Sequence, residues 1–303
     1  MADPKDVGYF GPDSVSWQVH REVTVLFGGA RALLMQAAHP LVIAGASQTG
    51  MYERNPWRRL QRTLVLTYTL TFGTKAEAHA AAERINEAHA RIHGIDPVTG
   101  RWYDALDPEL LLYVHACLVD SALLFEELTV GGLDDAGRQR FHEEQMLAAE
   151  LLLVPRSMIP PTVAELRAWL AGFERRGELL LTDGARRVAD LFLDPPREAE
   201  WRPILKLVGR LAFATLPPGV RELYGFRMGR ARVAASEATL RAARFIRPLL
   251  PPRFRYIAPY AEWLARQRGR APAGRVDQVR RALGIRLDAA RPLPGATGGG
   301  PPA

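Results

Sequence analysis

A chain of 303 residues with 48% hydrophobic content is long enough to bury a large core, in one big domain or two modest ones. The formal charge of +7 is almost all arginine, since Lys5, Lys75 and Lys206 are the only lysines, and the cations are scattered among acids. There is no finger, no RNA-binding sheet motif and no basic stripe with interleaved aromatics, so no nucleic-acid partner is expected. Cys117 is the single cysteine, which excludes an intrachain disulfide and any thiolate cluster for a metal or iron–sulfur centre and fits a reducing, cytoplasmic setting.

In chain order, residues 1–9 read as an N-terminal tail; Met1 to Asp6 lacks the basic and apolar regions of a signal peptide. Asp13-Ser14 is a start signal for a helix through Val25, and Gly28-Gly29 is expected to break or bend the chain before a helix over Ala30 to Ala38. His39-Pro40 ends that helix, because the residue before a proline is driven out of the helical region, and a short helix follows from Leu41 to about Ser47. Pro56 opens the next one, which carries Arg59, Arg62 and Thr63 and runs through Phe72 to Gly73.

Thr74-Lys75-Ala76-Glu77 is a capping box that starts an alanine-rich helix predicted to end at Gly94, with His89 and His93 in its last turns. A polar loop, Ile95 to Leu106, leads to Asp107-Pro108, an N-cap with proline at the first helical position, and a helix over Glu109 to Leu128. Its most apolar run, Leu110 to Phe125, carries His115 and Asp120 and falls short of the ~18–20 residues a bilayer needs, so it reads as a buried helix of a soluble protein without an integral membrane segment. Further helices are predicted over Asp134–Leu153, Thr162–Arg175, Asp183–Leu193, Trp201–Thr215, Arg227–Arg247, Phe254–Arg268 and Val276–Leu283, separated by Pro155, Pro160-Pro161, Pro195-Pro196, Pro217-Pro218 and Pro251-Pro252. The fold class is therefore all-α, a single large multi-helix domain over residues 10–285, with a boundary near Pro155 to Pro161 as the alternative division. Residues 286–303 form a Gly/Pro-rich tail read as disordered.

Several chemistries lack their local geometry. No G-x-S-x-G, G-x-G-x-x-G or Walker loop occurs; His142-Glu143-Glu144 begins like a zinc-protease motif, but Met146 stands where the second ligand belongs. No Glu-x-x-His pair is present for a helix-bundle di-iron centre. What remains is histidine and arginine. His89 and His93, four apart, suit either a helix C-terminus whose carbonyls favour positive charge or an axial iron ligand with its neighbour. Ala78, Ala82 and Asn86 extend the same face with small side chains that admit a flat macrocycle, though alanine is also the best helix former. Arg59, Arg62 and Thr63 suit a solvated face or a carboxylate-binding one. His115 is either a hydrogen-bonded core histidine or a pocket wall. His39 is read as a turn residue bonded to backbone, and Tyr103, Asp104 and Asp107 as residues that order their loop.

An ordered set of short motifs accompanies these residues: Phe10-Gly11-Pro12-Asp13-Ser14-Val15, Gln36-Ala37-Ala38-His39-Pro40, Asn55-Pro56-Trp57-Arg58-Arg59-Leu60-Gln61-Arg62-Thr63, Phe72-Gly73-Thr74, His89-Ala90-Arg91-Ile92-His93-Gly94, and Asp107-Pro108-Glu109 through His115. Together they resemble the bacterial DUF2236 family, related to the catalytic domains of the fungal oxygenase MpaB and of rubber oxygenase (latex clearing protein), from about Phe10 to Trp169 and more loosely to about Leu264. The resemblance implies an all-helical, globin-like or related fold that binds haem b, with oxygenase activity on a small hydrophobic substrate and dioxygen. His89 matches the family's proximal iron ligand, with His93 as a second ligand candidate and His115 as a further cofactor contact. Arg59, Arg62 and Thr63 look like the counterparts of the family's Arg-x-x-Lys-Thr cluster, with Arg59 anchoring a propionate and Arg62 and Thr63 acting on bound oxygen. Arg62 departs from that pattern: arginine stays charged where lysine can give up its proton and ligate iron. A haem carrier or sensor without turnover, and a non-haem metal enzyme using His89, His93 and His115, are the rival readings.

Overall fold

The structure, a computed structural model, describes residues 6–50, 64, 67–195, 202–226 and 228–267. Among these residues the fold is all-α apart from one two-stranded hairpin. Ser14 caps α1 (Val15–His20) by accepting from the backbone N–H of Trp17. The predicted single helix to Val25 is in fact two, because Glu22 is extended and its backbone bridges to Tyr256 before α2 (Val23–Leu26) begins. The break expected at Gly28-Gly29 falls at Phe27, one residue earlier, and Gly28 opens α3 (Gly28–Ala38). Glycine is required at 28 by contact: a Cβ there would stand 2.9 Å from the carbonyl oxygen of Ser121. Extended His39 then turns the chain into α4 (Pro40–Gln48), with proline at its first position as expected. Residues 67–72 are helical, and the rest of the predicted Pro56 helix lies outside the described residues.

The capping box forms as read, Thr74 accepting from the Glu77 N–H and the Glu77 carboxylate from the Thr74 N–H, and it starts α5 (Lys75–His89). That helix stops one turn earlier than predicted. The N–H of Ile92 turns back to the carbonyl of His89 at 2.8 Å, and the chain enters β1 (His93–Ile95), paired antiparallel with β2 (Trp102–Asp104). The segment read as a polar loop is thus half hairpin. Its turn is held by buried Asp96, which accepts from Val98, Thr99 and the Thr99 hydroxyl, and by Gly100 at φ +68°.

Asp107 caps α6 (Pro108–Thr129), the 22-residue helix around which the rest is arranged. Helix α3 lies along it, joined by α2, α7 (Asp135–Leu151), α8 (Val163–Arg175) and, from late in the chain, α12 (Arg230–Ile246). Helices α7 and α8 flank the Pro155–Pro161 segment and both pack on α6. Between them and the C-terminus run α9 (Asp183–Leu193), α10 (Arg202–Thr215) and the unforeseen α11 (Pro218–Leu223). The predicted Phe254–Arg268 helix is two, α13 (Pro252–Arg255) and α14 (Ala258–Gln267), while Val276–Leu283 and the predicted tail lie outside the described residues.

By length and composition α6 would cross a bilayer, contrary to the shorter span read from sequence; most of it is buried inside the protein. Its Leu112, Tyr113, Leu123 and Phe125 are fully buried, and each such side chain contributes about 1.5–3 kcal/mol of transfer free energy. One polar group crosses this core: Arg31 of α3, whose guanidinium meets Asp120 at 2.8 Å, the Ser121 hydroxyl at 2.7 Å and the Thr215 carbonyl at 2.9 Å. Arg167 approaches the other carboxylate oxygen at 2.9 Å.

Candidate histidine site

Three helices bring three histidines into one part of the interior. His20 ends α1, His115 sits two turns inside α6 and His142 lies on the buried face of α7, which continues through Gln145 and Met146. Burial pulls the pKa of His20 and of His115 from 6.5 down to about 4, and His115 is lowered further by the proximity of His142 and His20. His142 is lowered for the same first reason, with the Pro160 carbonyl pulling the other way. All three imidazoles are therefore neutral at neutral pH.

Hydrogen bonding assigns the tautomer of His142. The Pro160 carbonyl, which can only accept, lies 2.7 Å from His142 Nε2, so Nε2 carries the hydrogen and Nδ1 keeps the lone pair. Gln145 donates from Nε2 to the Ser16 hydroxyl at 2.8 Å, leaving its carbonyl oxygen to accept from His20. Among the described residues, His20 Nε2, His115 Nε2 and His142 Nδ1 have no hydrogen-bond partner although each is buried. Buried nitrogens in this condition suit a bound group that supplies the missing contact. They do not suit a shared metal ion: among the described residues no three His, Cys, Asp or Glu side chains come together as a metal-binding group.

The sequence-derived candidates are dispersed by comparison. His89 is the last residue of α5 and half-buried. His93, expected beside it on one helix, is instead exposed on β1, stacked on Trp102 with ring centroids 5.6 Å apart. The helix thus ends before a second turn could align them on one helical face, and with buried His115 they form no metal-binding group among the described residues. The small-residue face of α5 is also taken: Ala78 and Ala82 pack with Leu70, Leu151 and Leu152, and Asn86 donates to the Leu151 carbonyl at 3.0 Å. Arg59, Arg62 and Thr63 lie outside the described residues.

His39 is a turn residue as expected, but its side chain is held by rings, 5.0 Å from Tyr113 and 5.6 Å from Phe173, and its Nδ1 has no partner among the described residues. Tyr103 donates to Gln48 on α4, while Asp104 and Asp107 accept from Leu106 and Glu109, so the hairpin that follows His89 is tied down at both ends. His20 and His142 were missed from sequence. The spacing of His142, Gln145, Met146 and Ala149 marks a core-facing stripe, and a histidine on such a stripe was the available signal.

Residues 17–248 match the family described as the ER-bound oxygenase mpaB/B'/rubber oxygenase catalytic domain. Among curated proteins, an uncharacterized protein of Mycobacterium bovis and another of Mycobacterium tuberculosis are each 28% identical to this chain over 138 residues, covering 44% of it and 53% of themselves. The chain thus spans about half the length of the curated relatives it matches. No solved structure matches it.

Proposed function

We propose, from the premise that this chain belongs to the ER-bound oxygenase mpaB/B'/rubber oxygenase catalytic-domain family, that it is a haem-dependent oxygenase acting with dioxygen on a small hydrophobic molecule. The family is one of oxygenase catalytic domains; haem and the class of substrate are the proposed part. The observation that carries the proposal is the buried, neutral imidazole of His115 with Nε2 unpartnered among the described residues, beside His20 and His142 in the same condition. Neutral buried nitrogen donors are the chemistry a haem pocket requires, and they fit the group.

Bound haem would supply the dioxygen and electron-transfer chemistry that no side chain carries. The chain's own residues have separate tasks. His89 would hold the haem iron, at a helix end fixed by the Ile92 N–H and by the hairpin leaning on α4. His115 is a pocket wall that stays uncharged, so the interior there remains low in dielectric and excludes water. Arg59 would pair with a carboxylate of the group, and Arg62 with Thr63 would set a fixed positive charge and a hydrogen-bond donor in the same site. Because Arg62 cannot lose its proton, it acts as a fixed charge and not as a ligand.

The test is an absorption spectrum of protein produced with supplemented haem, repeated for His89→Ala, with oxygen uptake followed on a hydrophobic alkene. A Soret band that is lost or shifted in the variant, together with alkene-dependent oxygen uptake, is expected. A colourless protein overturns the cofactor, an unchanged spectrum overturns His89, and a Soret band without oxygen uptake identifies a carrier.

A further inference from the structure

The corner between α12 and α14 exposes an apolar ridge set among arginines. Phe245 is 78% exposed, Leu249 82%, Phe254 59% and Ile246 57%, four large apolar side chains within ten residues of chain. The stretch 241–255 carries Arg241, Arg244, Arg247, Arg253 and Arg255 and no acid; the nearest are Glu237 and Glu262. We propose that this corner docks the protein onto the surface of an anionic lipid bilayer.

The ridge is held rigid. Pro248, Pro251 and Pro252 restrict its backbone, and the N–H of Ile257 bonds to the Arg21 carbonyl at 2.9 Å. From beneath, buried Glu22 takes Arg247 at 2.7 Å and Arg255 at 3.4 Å, with Arg21 at 3.8 Å. Three guanidiniums on one carboxylate leave surplus positive charge under the exposed apolar side chains. Arg253 rides over the Phe254 ring at 4.9 Å, placing a cation next to the apolar tip. A monomer has no reason to pin four large apolar side chains into water within ten residues of chain, and such clustering of exposed apolar side chains marks an interaction site.

Charge selects the occupant. A second copy related by a two-fold axis would bring the same arginines against themselves, which is repulsive. A bilayer surface with anionic headgroups accepts both features at once, the guanidiniums among phosphates and Phe245, Leu249 and Phe254 in the acyl boundary just below. This surface is separate from the histidine site and does not rest on the oxygenase reading.

Flotation of the full chain with phosphatidylcholine vesicles, with and without phosphatidylglycerol, tests it, alongside the exposed triple variant Phe245→Ser, Leu249→Ser, Phe254→Ser and the single variant Arg253→Glu. Binding that requires phosphatidylglycerol, weakens with added salt, falls at least about tenfold in the triple variant and several-fold in Arg253→Glu is expected. Absence of binding by the unmodified chain, or equal binding by the triple variant, overturns the proposal. So does light scattering that shows a dimer dissociated by the triple variant with no vesicle binding, which makes the ridge a self-association face.

Discussion

Nε2 of His142 lies 2.7 Å from the carbonyl oxygen of Pro160, and this contact ties α7 to the connection that leads into α8. Because the imidazole is fully buried, its loss leaves a cavity and an unpaired carbonyl together. His142→Ala is expected to cost about 2–4 kcal/mol in urea unfolding. His142→Gln, whose amide can donate toward the same oxygen, is expected to recover part of that loss, and equal destabilisation by both variants would show that the hydrogen bond contributes nothing.

Acid is expected to unfold the protein from an unusually mild pH. The unfolded chain binds protons on His20, His39 and His115 below about pH 6.5, whereas burial holds all three at about 4 in the folded chain. Between those values the unfolded state carries more protons, so stability is complete above pH 6.5 and falls as pH drops toward 4. The slope is at most about 1.4 kcal/mol per pH unit for each histidine. Denaturant midpoints measured from pH 7.5 to 5 check this; His39→Leu is expected to flatten the curve by one histidine's share, and a profile unchanged in that variant would remove His39 from the set.

Asp120 is the counter-charge of a guanidinium with almost no exposure to water. Asp120→Ala strands Arg31 in the core and is expected to cost about 3–5 kcal/mol, while Arg31→Met with Asp120→Leu is expected to cost distinctly less, because no charge is then left unpaired. Equilibrium unfolding of the double variant, of Arg31→Met alone and of Asp120→Leu alone gives the coupling directly.

His93 on its exposed strand is expected to be dispensable. His93→Ala should change stability by no more than about 0.5 kcal/mol and leave the absorption spectrum of the haem-supplemented protein unchanged. A lost Soret band in this variant would return His93 to the site.

Caps and prolines carried most of the fold into view. Ser14, Thr74, Asp107 and Thr162 each start a helix where read, since one side-chain oxygen satisfying an early N–H is a local event. The failures are tertiary. Gly28 does mark the boundary between α2 and α3, but its reason for being glycine, the Ser121 carbonyl against α3, lies some ninety residues away in the chain. Local pattern extended α5 to Gly94, yet pairing of His93 with Asp104 and burial of Tyr103 against α4 ended it at His89. The site was legible only where a histidine interrupted an obviously apolar helix, as His115 does. His20 and His142 join it because α1 and α7 fold onto α6, which no local spacing announces.

The position of α6 also bears on synthesis. Its partners include α2 and α3, made before it, and α12, which ends at Ile246, so the helix stays partly uncovered while more than a hundred further residues are added. At about 5–20 residues per second, a segment apolar enough for a bilayer is open to the surroundings for roughly ten seconds on the ribosome. Nascent chains truncated between Thr129 and Arg230 should therefore be held by chaperones that grip apolar helices, and release should coincide with the emergence of Leu240, which closes over Phe125 and Leu128.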